Sequence, residues 1–216
     1  MAFELTLTGK LYAHTTPAGA YYAVGNPNMD ANRVTLVNVL RNSDQSPLGE
    51  NQVTSWTGET DLQSGLKVLF RLQRLGLIHG AETPVPAVTQ RLEDVLPTLL
   101  GRLSDTGKAI LADDNGFYLA ASGFPHETAE ELAALAGDLL SLQKRHSRLL
   151  KNNLNQGSEA WGLVDPAGRC DLGFWPLYLG KQTFVLIIGD TPRLQNQEFV
   201  TLVQALTRRY WEDITH

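Results

Sequence analysis

At 216 residues the chain is long enough for one large domain or two small ones. Its 43% apolar and 19% charged residues belong to a globular protein and exclude a disordered one. The net charge is −5; dividing the chain near Pro86 puts 6 basic and 7 acidic residues before it and 12 and 16 after it. Neither part is a basic module, which disfavours nucleic acid as the main partner.

Cys170 is the single cysteine, so no intramolecular disulfide forms and no oxidising compartment is implied. It stands in an alternating pattern that predicts a buried thiol acting as a small hydrophobe. The opening Met-Ala-Phe-Glu-Leu lacks the basic and apolar regions of a signal peptide. No apolar run reaches the roughly 20 residues of a membrane span. The expected location is therefore cytoplasmic, with no membrane partner.

In chain order, residues 3–13 alternate apolar with polar and predict a strand. Thr16-Pro17-Ala18-Gly19 carries turn chemistry, and Ala20-Tyr-Tyr-Ala-Val24 predicts a returning strand, making a hairpin. Asp30 is placed to cap a helix whose inner face is Val34, Leu36, Val37 and Leu40. A short helix follows between Gly49 and Thr57, anchored by Trp56. Thr60-Asp-Leu-Gln63 has the pattern of a capping box and opens a third helix, with Leu62, Leu66, Leu69 and Phe70 inward and Gly76 as its stop. Leu77-Ile78-His79 predicts a short strand.

These three helices resemble a winged helix-turn-helix module over about 45 residues. In DNA-binding members of that class the third helix leads with polar and basic side chains. Here its first half offers Asp61, Gln63, Ser64 and Gly65, with Lys67 the one cation, while Arg71 and Arg74 come late. A protein-contact or packing role is the stronger reading.

Thr83-Pro-Val-Pro86 is a stiff linker and divides the chain into a front module, 1–85, and a rear domain, 86–216. Val88, Leu92, Val95, Leu99 and Leu103 predict a helix that Pro97 bends or restarts. Lys108-Ala-Ile-Leu-Ala-Asp113 and Phe117-Tyr-Leu-Ala-Ala-Ser-Gly123 flank Asp114-Asn115-Gly116, and Asn-Gly predicts a two-residue hairpin turn. Thr128-Ala-Glu-Glu131 is a second capping box, starting a long helix to about Lys151 with Leu132, Leu135, Ala136, Leu139, Leu142 and Leu149 as its stripe. Then come a strand at Trp161-Gly-Leu-Val164, a type I turn at Asp165-Pro-Ala-Gly168, a strand through Cys170, Leu172 and Phe174 to Tyr178, and a turn at Gly180-Lys181. Phe184-Val-Leu-Ile-Ile188 is apolar enough for a central strand buried on both faces. The last helix runs from about Asn196 to Trp211.

The rear order of helix, two strands, long helix, three strands, helix resembles the Roadblock/LC7 family. The stretches that carry the likeness are residues 108–123, with their turn and small-residue ending, and 174–188. The resemblance covers roughly 87–212 and implies an α+β fold: a five-stranded antiparallel sheet with one long helix on one face and terminal helices on the other, similar also to profilin-like domains. Pro97 departs from the simple pattern of the first helix.

Catalytic signatures are missing. There is no P-loop, no Gly-x-Ser-x-Gly, no His-Glu-x-x-His and no cysteine pair, and His14, His79, His126, His146 and His216 are scattered. Turn solvation accounts for the adjacent carboxylates Asp113 and Asp114 without a metal. The resemblance implies a non-enzymatic regulatory or scaffold protein with no cofactor, acting as a homodimer and binding a protein partner such as a small Ras-like GTPase. Leu135, Leu139 and Leu142 are the dimer candidates. Arg145, Arg148 and Lys151 are the partner-binding candidates, though the same cations also complement the helix dipole opposite Glu127, Glu130 and Glu131. The alternative is a sensor or transcription-linked regulator, with a ligand-binding rear domain and a DNA-contacting winged helix.

Overall fold

The structure, a computed structural model, describes residues 4–212. Phe3, at the start of the first expected strand, and His216 lie outside that range. The front of the chain runs β1 (Tyr12–Thr15), α1 (Pro17–Val24), α2 (Ala31–Asn42), α3 (Glu50–Thr57), α4 (Leu62–Arg74) and β2 (Ile78–Ala81). After residues 82–91, which have no regular structure, come α5 (Leu92–Gly101), β3 (Ala109–Asp113), β4 (Tyr118–Ser122) and α6 (His126–Arg145). A π-helical turn, Arg148–Asn153, leads to β5 (Trp161–Val164), β6 (Cys170–Leu179), β7 (Gln182–Gly189) and α7 (Gln197–Tyr210).

The N-terminal hairpin is not formed. Residues 17–24 are helix, because Thr16 is an N-cap accepting from the Gly19 N–H at 3.0 Å and Pro17 takes the first helical position, where its missing N–H costs nothing. Gly19, Ala20, Ala23 and Val24 are then buried on one side, a helical and not an alternating spacing. The partner of β1 is β2, with His14 opposite His79. Residues 4–11 run as an irregular strap before it.

Several helix starts also shift. Asp30 caps α2 as expected, accepting from the Arg33 N–H. Asp61, not Thr60, caps α4 by accepting from the Ser64 N–H at 2.9 Å, which leaves Gln63 free for another role. Phe70, expected inside, is 46% exposed, and Leu72 takes the buried place. In α5 the buried residues are Leu96 and Leu100 in place of Val95 and Leu99, and the helix passes through Pro97 on its exposed side. α6 begins at His126 after Pro125, so Thr128 lies inside the first turn and forms no capping box.

The five-stranded sheet is antiparallel in the order β4-β3-β7-β6-β5. β7 is central and covered on both faces: Phe184, Leu186 and Ile188 enter one apolar cluster, Val185 and Ile187 the other. β3 divides the same way, with Ala109 and Leu111 against Ile110 and Ala112. Period-two alternation thus splits each strand between two cores. The larger core is roofed by α5 and α7 and continues without interruption into Ala20, Leu36, Leu40, Leu66 and Leu69 of the front helices. Arg208 of α7 adds a polar tie, donating to the Arg41 carbonyl at 3.1 Å and ion-pairing with Asp44.

The β3–β4 hairpin closes with three residues, Asp114, Asn115 and Gly116, in place of a two-residue turn. Of the Asn-Gly pair only Gly116 has positive φ, +86°, the form of a type I turn followed by a bulge. The Asp113 carboxylate accepts from the N–H groups of Asn115 and Phe117, so the turn itself engages it. Gly116 also sits against α6: a Cβ there would lie 3.1 Å from Cα of Ala134.

Candidate interaction surface

The side of α6 that meets the sheet is made of small residues. Ala129, Ala133 and Ala136 are fully buried over Ile110, Ala112, Val185 and Ile187. The leucines of the expected stripe stand along one flank, where Leu132 and Leu139 still pack against that cluster. Leu132, Leu139 and Leu142 are half-buried and Leu135 is 39% exposed. Alanine lets the helix approach closely, and the bulkier residues at i+3 and i+6 are displaced sideways. Leu149, beyond the end of α6, is exposed.

α6 covers β4, β3 and β7. On the same face, β6 and β5 carry Phe174, Leu172, Trp161 and Leu163. The Trp161 indole N–H donates to Gln143 Oε1 at 2.8 Å, which draws the edge strand toward the helix. Leu163, two residues along, points the same way and is 59% exposed; Val164 beside it is 65% exposed. An edge strand in water ordinarily carries charges or proline to discourage pairing. β5 carries neither, and its sequence signal is plain afterwards: Trp-Gly-Leu-Val has no charged residue in a strand too short to be covered. Sequence reasoning missed these two residues as surface candidates. Cys170, at the start of β6, is half-buried, not enclosed as expected.

The expected basic patch is divided. Arg145 and Arg148 are exposed and make no ion pair among the described residues, whereas Lys151 is ion-paired with Glu159. Glu159 is 7% exposed and also accepts a short hydrogen bond from the Tyr178 hydroxyl. Burial, then that hydrogen bond and the carboxylate's charge, push the Tyr178 phenol far above its ordinary range. Burial raises Tyr21 of α1 as well. Lys151 thus holds the π-helical turn onto β6 and is a structural cation.

Among the described residues no three His, Cys, Asp or Glu side chains gather as metal ligands, and no helix is long and apolar enough to cross a membrane. The arrangement offers apolar contact and strand pairing.

Residues 93–156 match the family model described as the Roadblock/LC7 domain. The chain is also similar to solved structures, among them the following two. The crystal structure of a Roadblock/LC7 domain from Streptomyces avermitilis is 19% identical over 54% of this chain and 95% of that one, with a TM-score of 0.38. MglB of Myxococcus xanthus is 13% identical over 56% of this chain and 92% of that one, with a TM-score of 0.33. No curated protein matches.

Proposed function

With a Roadblock/LC7 domain at residues 93–156 as the starting point, we propose that this chain is a non-enzymatic regulatory or scaffold protein that pairs with a second copy and presents the paired surface to a protein partner. The observation that carries the reading is the uncovered apolar strip formed by the leucine flank of α6, centred on Leu135, and the unguarded edge strand with Leu163 and Val164. Two copies related by a two-fold axis would bring strip to strip, since such an interface is self-complementary. Edge pairing would also satisfy the open backbone groups of β5.

The partner that the resemblance implies is a small Ras-like GTPase. Arg145 and Arg148 lie next to the strip as free cations able to steer a charged partner, so they remain its candidates, and Lys151 does not. A regulator must hold one nucleotide state more tightly than the other, because equal affinity shifts no equilibrium. The test is light scattering on the full chain, followed by titration with a GTPase encoded beside it, loaded with GDP or a GTP analogue. A dimer with unequal affinities supports regulation, and a dimer with equal affinities leaves a scaffold. A monomer at micromolar concentration would remove the pairing.

A further inference from the structure

The front module contains a second apolar feature, remote from the pairing strip. Gln63, released from capping, grips the main chain of the strap at one residue: Leu5 N–H donates to Gln63 Oε1 at 3.1 Å, and Gln63 Nε2 donates to the Leu5 carbonyl at 2.9 Å. Leu5 and Leu7 turn inward while Thr6 and Thr8 face out. Between strap, α4 and β2 a cleft of about 190 Å³ remains, bounded by Leu5, Leu7, Leu66, Leu69, Phe70 and Ile78. A cavity of about 150 Å³ lined by such side chains stays dry and admits benzene, so this one has room for a leucine or phenylalanine side chain.

Two cations stand beside the cleft. Lys67 and Arg74 lie three and four residues from Phe70, which lines the cleft, and all three are exposed. The Arg74 guanidinium lies 6.0 Å from the Phe70 ring centroid, and neither Lys67 nor Arg74 is ion-paired with an acid among the described residues; Arg71 is turned to α2, donating to Asn32 Oδ1 at 2.7 Å. Charge and shape therefore ask for the same ligand: an apolar anchor flanked by carboxylates. The strap shows that extended backbone with alternating leucines is compatible with this surface. The geometry points to a peptide-binding site on α4, which takes an extended acidic segment with one apolar side chain in the cleft and its carboxylates on Lys67 and Arg74.

The probe is a fluorescein-labelled peptide of alternating glutamate and leucine around a central phenylalanine, titrated into the full chain at low and high salt. A second peptide has lysine for every glutamate. Saturable binding of the acidic peptide is expected, weakened tenfold or more by Lys67→Glu with Arg74→Glu, weakened severalfold by Phe70→Ala, and reduced by salt; the lysine peptide should not bind. Thermal melts establish that the variants, all at exposed positions, remain folded. Equal binding of the two peptides, or an affinity indifferent to the charge reversal, would overturn the proposal. So would octanoate entering the cleft, read by chemical shifts of Leu66 and Leu69 methyls, while the acidic peptide fails to bind, because the cleft would then serve a small molecule.

Discussion

Trp161 on the edge strand and Gln143 on the long helix are joined by one hydrogen bond of 2.8 Å from indole nitrogen to amide oxygen. Gln143 is 6% exposed and Trp161 half-buried, so the bond is partly sheltered from water and ties β5 to α6. Replacing Gln143 removes the bond and leaves the half-buried indole N–H to water, a loss of about 0.5–1.5 kcal/mol, the net worth of a typical hydrogen bond. Gln143→Leu is expected to lower stability by that amount in urea unfolding, and to loosen β5 in hydrogen exchange while leaving β7 protected. Unchanged exchange in β5 would show that the bond positions nothing.

Leu163→Lys places a charge on the exposed apolar face of the edge strand, where no described contact has to be given up. The monomer's stability should stay within about 0.5 kcal/mol, as for an ordinary surface change. A dimer built on this edge should dissociate at concentrations where the parent chain pairs. Sedimentation of the two proteins at equal concentration checks this, and identical profiles would move the pairing surface elsewhere.

These two residues also show where the sequence stopped being informative. The strands of the large sheet were legible because Phe184 to Ile188 and Ala109 to Ala112 carry an unbroken apolar signal, and residues 108–123 and 174–188 carried the family resemblance. Orientation on α6 was not, since alanine and leucine both count as apolar while only alanine lets the helix settle on β3 and β7. The N-terminal hairpin failed for a related reason. Thr16-Pro17 serves equally as turn or as helix cap, and the choice rests with tertiary burial of Ala20 and Ala23. Likewise nothing local to Lys151 reveals Glu159, eight residues later, as its partner.

Lys151→Ala removes the cation from that pair. Glu159 stays 7% exposed with a carboxylate facing the Tyr178 hydroxyl. Loss of one member of a fully buried pair costs about 3–5 kcal/mol; the Lys151 side chain is 41% exposed, so water screens part of the effect and about 1–3 kcal/mol is expected. Adding Glu159→Gln should restore part of the loss, because the uncompensated charge goes with it. Chemical denaturation of both single variants and the double gives the coupling. Strict additivity would show that the two side chains do not support each other.

His14 makes the front module sensitive to acid. Its ring lies 5.4 Å from that of His79 across β1 and β2, and its Nε2 is buried without a hydrogen bond among the described residues. Burial, and then the neighbouring His79, hold its pKa below the ordinary 6.5, against a raising contribution from the backbone of Thr83. In the unfolded chain His14 takes its proton near pH 6.5; in the folded chain it does so only at lower pH. Between those points the unfolded state binds more protons, so stability is complete above pH 6.5 and is lost as the pH falls through it, by at most about 1.4 kcal/mol per pH unit for one proton. Melting temperature followed by circular dichroism from pH 7.5 to 5.5 should therefore decline, with β1 and β2 exchanging hydrogen sooner than β7. His14→Phe, which keeps a ring but takes no proton, should flatten the decline. An equally steep decline in that variant would assign the acid sensitivity to other groups and leave His14 as a packed ring.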